Sequence, residues 1–337
     1  MRELHLLELL AWLYAGLFVG YLLWTHSSLR RPWWLKALSP VSFWVFLPTL
    51  ALPLCEILAR SPSFLLPAVL SASLFCYHYL LPMLPKRAPI PKGPHIRLTV
   101  MTANLYKHNA SCSEIVETIL AESPDMVALQ ELKQRHIASI ENRLKRIYPY
   151  QALYPGVDSE GMGFLSRYPF LSVDSYQGPP DANPTQVISI EIAGKRIWCV
   201  NIHSRIPRLQ TWSLAGIPIP KGMDTTGRQS DIERIIKIVE DLQGDAIVLG
   251  DMNTTSECPE YRLIPPQWIN AYARVGKGLG FTYPIGQPFF GLRTPLPLFR
   301  IDHLFYRGRL CAIEARTGAM PGSDHRYLLV RLAAPCK

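Results

Sequence analysis

The hydrophobic pattern of the chain changes once, near residue 95. Before that point three stretches contain no Asp, Glu, Lys or Arg: 9–29, 37–55 and 61–85. Each approaches the length of about 20 apolar residues that a helix needs to cross a bilayer. Trp24, Trp33 and Trp34 stand at the edges of these stretches, where amphipathic rings favour the lipid–water boundary. A signal peptide would account for one such run, and a buried soluble core does not need three in succession. The pattern therefore predicts an N-terminal bundle of about three transmembrane helices over 1–85. Pro48, Pro53 and Pro67 predict kinks, which neighbouring helices tolerate. Residues 86–95, KRAPIPKGPH, read as a Pro-rich linker.

From Ile96 the pattern shortens and alternates. IRLTVMTANL (96–105) has the period of a strand. PDMVALQ (124–130), GMGFLSRYPF (161–170), TQVISIEI (185–192), KRIWCVNIHS (195–204), DAIVLG (245–250), RIDHLFYRG (300–308) and DHRYLLVRL (324–332) read as further strands. Residues 113–121 read as a helix behind a Ser-x-x-Glu start, Ser111 to Glu114. Residues 228–242 read as a second helix, with Ile232, Ile235, Ile236 and Val239 on one side. Many short strands with few helices between them predict two packed sheets with outer helices over 96–337, not a doubly wound parallel sheet.

Charge follows the same division. The formal net charge is +9, and residues 1–98 supply +6 of it from nine basic and three acidic residues. Residues 99–337 hold 26 basic and 23 acidic residues, so the larger part lacks the strong excess of a polyanion-coating domain. Arg30, Arg31 and Lys36 in the first loop, with Lys86, Arg87, Lys92 and Arg97 after the third stretch, place both segments in the cytoplasm by the positive-inside rule. The seven cysteines form no CxxC and no zinc-type cluster.

Polar residues gather at the predicted strand ends. Asn104 ends the first strand, and Gln130 and Glu131 end the next. Asn201 and His203 lie in VNIHS, and Asp251 and Asn253 in GDMN. Asp302 and His303 lie in RIDH, and Asp324 and His325 in GSDH. Each alone has an ordinary reading: a solvated carboxylate, an Asp-x-Asn turn, a satisfied core histidine. Six strands delivering acids, amides and imidazoles at their ends describe one converging site. His303, next to Asp302, alternates onto the opposite strand face.

This ordered set resembles the endonuclease/exonuclease/phosphatase superfamily over roughly 96–333, including the FLSRYP stretch (164–169). The resemblance implies a four-layer α/β sandwich and metal-dependent hydrolysis of phosphate esters. It implies Mg²⁺, with Mn²⁺ as the alternative, held by Glu131 with Asn104 beside it and Asp324 across the ion. It makes His325 the imidazole acting on the phosphate, aligned by Asp302. Asp251 and Asn253 then orient the attacking water and a phosphate oxygen, with Asp251 a rival general base. His203 contacts the phosphate or the leaving group. Such chemistry needs phosphoryl charge neutralised, a water activated and a leaving oxygen stabilised.

For the substrate, two apolar loops stand out: 206–223 after His203, and 283–299 before Asp302. Trp212, Leu214, Ile217, Ile219, Phe289, Phe290, Leu296 and Phe299 suit them to a lipid surface, or to packing within the protein. Arg205 and Arg228, with Arg208 and Lys221, are candidate phosphate contacts. The helices-plus-domain plan resembles a bacterial membrane-anchored subgroup linked to teicoplanin resistance, whose members are similar to polyprenyl-pyrophosphate phosphatases. That resemblance implies an integral protein of a bacterial cell membrane acting on a phosphorylated lipid or pyrophosphate. It places the domain outside the cytoplasm, against the charge count, so the side stays open. A membrane-tethered nuclease acting on DNA or RNA is the alternative.

Overall fold

The computed structural model describes residues 2–27, 32–59, 65–84, 86, 94–214, 217–286, 288–289 and 292–335. Arg30, Arg31, Arg87 and Lys92, four of the basic residues that set the expected orientation, lie outside them, as do residues 87–93 of the expected linker and Phe290. The chain forms two compact units. One comprises Met1–Leu84 with Gln210–Met223 and Ser256–Pro259; the other comprises Pro85–Leu209, Asp224–Thr255 and Glu260–Lys337.

In the first unit, α1 spans Arg2–His26. A broken second helix runs through α2 (Trp33–Leu38), α3 (Ser42–Phe46) and α4 (Leu52–Ala59). The breaks are 3₁₀ turns at Ser39–Val41 and Leu47–Leu50, with Pro40 and Pro48 near their starts, because proline removes a helical donor. α5 (Leu65–Phe75) continues into a π turn, Cys76–Leu80. Three stretches, Leu9–His26, Trp33–Ile57 and Leu65–Met83, are long and apolar enough to cross a membrane. Phe18, Phe46 and Phe75 pack inside, with Phe18 and Phe46 ring centroids 4.7 Å apart, whereas Leu17, Leu23, Leu54, Leu66 and Leu70 face outward.

The second unit contains two six-stranded sheets. The first orders its strands β15-β16-β1-β2-β4-β3 and the second β11-β14-β10-β7-β6-β5. β1 is His95–Asn104, β2 Met126–Gln130, β3 Tyr150–Tyr154 and β4 Met162–Ser166. β5 is Phe170–Tyr176, β6 Thr185–Ile192 and β7 Lys195–His203. After the hairpin β8 (Arg208–Leu214) and β9 (Ile217–Asp224) come β10 (Asp245–Asp251) and β11 (Ile269–Asn270). A short pair, β12 (Pro288–Phe289) and β13 (Leu292–Arg293), precedes β14 (Asp302–Arg307), β15 (Cys311–Ala319) and β16 (Arg326–Pro335).

Three apolar clusters define four layers. Leu98, Val100 and Phe164 of the first sheet meet Ile188, Cys199 and Leu249 of the second at the centre. On the outer face of the first sheet, Met101 and Val127 meet Ile115, Ile119 and Ile140 of α6 (Cys112–Glu122) and α7 (Gln134–Leu144). On the outer face of the second, Val200 and Val248 meet Ile232, Ile235 and Val239 of α8 (Thr226–Asp241). Each such buried aliphatic side chain stabilises the fold by about 1.5–3 kcal/mol. α9 (Ala271–Val275) follows β11 and adds Ala271, Tyr272 and Val275 to the central cluster.

Three local expectations are corrected. The stretch 161–170 is two strands, not one: β4 belongs to the first sheet and β5 to the second, and Tyr168-Pro169 turns the chain between them. The segment 206–223 is mostly the β8–β9 hairpin rather than a loop. Ser111 does precede α6, but its side chain makes no capping hydrogen bond.

Candidate active site

Parallel pairing sets the site's frame. β1 and β2 run side by side with Asn104 opposite Gln130. β7 and β10 run side by side with His203 opposite Asp251, and Asp251 faces Asp302 on antiparallel β14. Both sheets thus end their strands at one edge. Gly250 makes this register possible: its φ is +138°, and a Cβ there would sit 2.0 Å from the carbonyl oxygen of Ile202. Two non-glycine residues of the site hold left-handed backbone, Glu131 at φ +56° and Asn253 at φ +49°. That conformation costs about 1–3 kcal/mol each, and it turns both side chains inward.

Asn104 links the carboxylates. Its Nδ2 donates to Glu131 Oε1 at 3.0 Å and to Asp251 Oδ2 at 3.1 Å, while its Oδ1 accepts from the Tyr106 amide at 2.9 Å. The Lys107 amide donates to Glu131 Oε2 at 2.6 Å. The Asn253 amide donates to Asp251 Oδ1 at 2.8 Å, and Asn253 Nδ2 donates to the Ser204 carbonyl at 2.7 Å.

Two histidines flank Asp251. His203 Nδ1 lies 3.1 Å from the Ser159 carbonyl, an acceptor that places the proton on Nδ1. Its Nε2 faces Glu131 Oε1 at 3.8 Å and Asp251 Oδ2 at 3.7 Å. His325 Nδ1 donates to Asp302 Oδ2 at 2.8 Å, and its Nε2 faces Asp251 Oδ2 at 3.7 Å and Asp324 Oδ1 at 4.0 Å. Burial alone would lower the His325 pKa, but Asp302, Asp251 and Asp324 outweigh it and raise the imidazole to about 10. Burial, with Glu131 and Asp251 adding repulsion against the pull of His325, lifts Asp324 to about 6. Asp251 is likewise raised, first by burial.

The turn before His325 is clamped to β1. Ser323 Oγ donates to the Asn104 carbonyl at 2.7 Å and accepts from the His325 amide at 3.0 Å. Gly322 has φ +73°, and a Cβ there would lie 2.1 Å from Asn109 Oδ1.

Asn104, Glu131, His203, Asp251, Asn253, Asp302, Asp324 and His325 are therefore brought together. The two arginines stand apart, engaged with protein acceptors. Arg205 grips Asp231 through Nε and a terminal nitrogen, both at 3.0 Å, and reaches Asp181 at 2.6 Å. Arg228 pairs with buried Glu260 at 2.8 Å and donates to the Asn253 carbonyl at 2.5 Å. His303 points into the second sheet's outer layer: its Nε2 donates to the Thr254 carbonyl and its Nδ1 accepts from Asn270. Sequence reasoning missed Tyr283, whose ring lies 4.7 Å from that of His325, and the partner acids Asp231 and Glu260. Tyr283 sits in a segment read only as apolar, and paired acids distant in sequence leave no local signal.

Two layered sheets whose strand ends carry buried acids, an Asp–His pair and a second imidazole define a hydrolase of phosphoric esters. The chain belongs to the endonuclease/exonuclease/phosphatase family, whose model matches residues 101–325; its members hydrolyse phosphoric esters with a divalent metal. Among solved structures, TDP2 from D. rerio with a single-strand DNA product is similar at 15% identity and a TM-score of 0.56, covering 70% of this chain and 98% of that one. Family proteins from Bacteroides vulgatus (15%, 0.54, 70% and 98%) and Leptotrichia buccalis C-1013-b (18%, 0.52, 70% and 99%) share the fold. The comparison with curated proteins returns no match.

The donor chemistry fits a hard divalent cation. Asp251, Asp302 and His325 offer ligand atoms within 4.8 Å of one another. However, His325 Nδ1 and Asp302 Oδ2 already share a proton, and a charged imidazole is no ligand. The crowding that raises Asp324 and Asp251 is of a kind that a cation between carboxylates relieves.

Proposed function

We propose that the protein is a membrane-anchored, Mg²⁺-dependent phosphoesterase acting on a phosphate ester or pyrophosphate of a membrane lipid. The observation that carries this reading is the presence, in one chain, of three membrane-length apolar spans and the phosphoesterase site. An anchored site meets lipid phosphates at high effective concentration. The near-balanced charge of residues 99–337 also favours a small phosphorylated head over a long polyanion. The resemblance to the teicoplanin-resistance subgroup points the same way, towards a polyprenyl-pyrophosphate substrate.

In this reading Glu131, with Asn104 and Asp324 around it, would hold the metal, which supplies charge neutralisation at the phosphoryl oxygens. His325, kept charged by Asp302, donates from Nε2 to a phosphoryl oxygen. Asn253 and His203 contact the phosphate, and Asp251 orients the attacking water. Arg228 and Arg205 act from behind, holding the segments of Asn253 and Ser204.

The nuclease reading retains one support: the similar TDP2 structure contains a single-strand DNA product. One assay separates the two. Purified protein with Mg²⁺ is offered polyprenyl pyrophosphate, phospholipid vesicles and DNA, beside Glu131→Ala and His325→Ala. Turnover of a lipid substrate, lost in both variants, is expected. Efficient DNA cleavage with inert lipids overturns the proposal. Cysteine-accessibility labelling assigns the side of the membrane.

A further inference from the structure

Beside the acid cluster lies an open cleft of about 360 Å³, lined on one wall by Lys107, His108, Lys133 and Arg135 and on the other by Gly156–Asp158. Four links make it an extension of the site. The Lys107 amide caps Glu131 Oε2 at 2.6 Å. Lys133 follows Glu131 by two residues. The far wall is pinned to the same strand end, since Leu132 bonds both to the Gly156 amide at 2.9 Å and to the Gly161 carbonyl at 3.0 Å. The carbonyl of Ser159, the residue after that wall, accepts from His203 Nδ1.

The wall is also built rigidly. Glu160 accepts from the Val157 and Asp158 amides at 2.5 and 2.8 Å. A Cβ on Gly161 would come within 1.9 Å of the Leu132 carbonyl oxygen, so the two segments are as close as backbone allows. The cationic heads, by contrast, rest on weak partners. Lys107 Nζ pairs with Asp158 at 2.6 Å, where Asp158 is 69% exposed. Lys133 donates to the Val157 carbonyl and Arg135 to the Lys107 carbonyl. Exposed pairs of this kind contribute little, so an arriving anion can draw these side chains inward at small cost.

We propose that this cleft is a second anion subsite, which takes the neighbouring phosphoryl group of a diphosphate while the other phosphate lies at the acids. The ordinary reading is a solvated basic surface. Against it stands the division of labour: negative charge is concentrated where a cation fits, and three positive side chains line the adjoining wall. A diphosphate carries charge for both, a monophosphate ester for one. The proposal rests on the phosphoesterase reading and narrows its substrate class.

The test uses full-length protein in detergent with two soluble substrates of equal chain, an alkyl monophosphate and an alkyl diphosphate. Wild type is expected to prefer the diphosphate. Lys133→Gln combined with Arg135→Gln should lower kcat/KM for the diphosphate at least about 10-fold and leave the monophosphate within about twofold, the gap narrowing with added salt. Equal losses on both substrates, no loss on either, or no preference in wild type overturns the subsite. Calorimetry with inorganic pyrophosphate and inorganic phosphate, without divalent metal, gives a readout independent of turnover. Pyrophosphate should bind wild type and not the double variant, with phosphate weak to both. If DNA is cleaved and lipids are not, the proposed function fails, and the calorimetry still decides the cleft. A wild type that does not bind pyrophosphate ends the proposal.

Discussion

Gln130 Nε2 donates a 2.6 Å hydrogen bond to Asn201 Oδ1, joining β2 of one sheet to β7 of the other. Both side chains are fully buried. Asn201 Nδ2 faces the Leu129 and Gly163 carbonyls, each at 3.1 Å, and Gln186 Oε1 at 3.3 Å. This network lies one residue behind Glu131 and two behind His203, and fixes how far apart the two halves of the site sit.

Asn201→Ala should therefore destabilise the second unit by about 3 kcal/mol, because each buried polar group left unsatisfied costs about 1–3 kcal/mol. Chemical denaturation should show a lower midpoint with an unchanged m-value.

Asp302→Asn removes the carboxylate nearest to His325 while keeping its shape. The imidazole pKa, now held up at about 10 by Asp302, Asp251 and Asp324 against burial, should fall by about 1–3 pH units, measured by NMR titration of metal-free protein. Activity should drop about 100-fold or more, the usual contribution of a positioned proton donor.

Gly250→Ala meets both a φ of +138° and the Ile202 carbonyl oxygen. The strain alone costs about 1–3 kcal/mol, and relief moves Asp251, the next residue. Loss of activity should accompany a lower melting temperature. Ala at Gly244, which has open space around it, should cost only the strain of its positive φ.

His303 sets an acid limit on stability. Burial, aided by the charge of Arg300, lowers its folded pKa from 6.5 to about 3. The unfolded chain then binds a proton that the folded chain refuses, so stability is full above about pH 6.5 and falls as pH drops towards 3, by up to about 1.4 kcal/mol per pH unit. His303→Gln should flatten that slope in denaturation curves recorded at successive pH values.

The central strands and their polar ends were legible because burial on both sides imposes long apolar runs, as in β7 and β10. β3 and β15 escaped notice because they lie at the edge of their sheet, where half-exposed positions blur alternation. β4 and β5 merged because a run of apolar residues does not record a change of sheet. His203, Asp251, Asp302 and His325 were found by position. Asp231 and Glu260 were not, since the need of Arg205 and Arg228 for partners appears only when distant segments meet.

β16 pairs with β1 along its length, from His95 opposite Pro335 to Thr102 opposite Leu328, and the turn before it carries Asp324 and His325. β16 therefore inserts between β15 and β1, and the turn that leads into it brings Asp324 and His325 to the acid cluster. Asn104, Glu131 and Asp251 are joined by hydrogen bonds without β16, whereas the Asp302–His325 pair exists only once β16 is in place. Completion of the site thus depends on the pairing of the two strands that lie furthest apart in the sequence of the second unit.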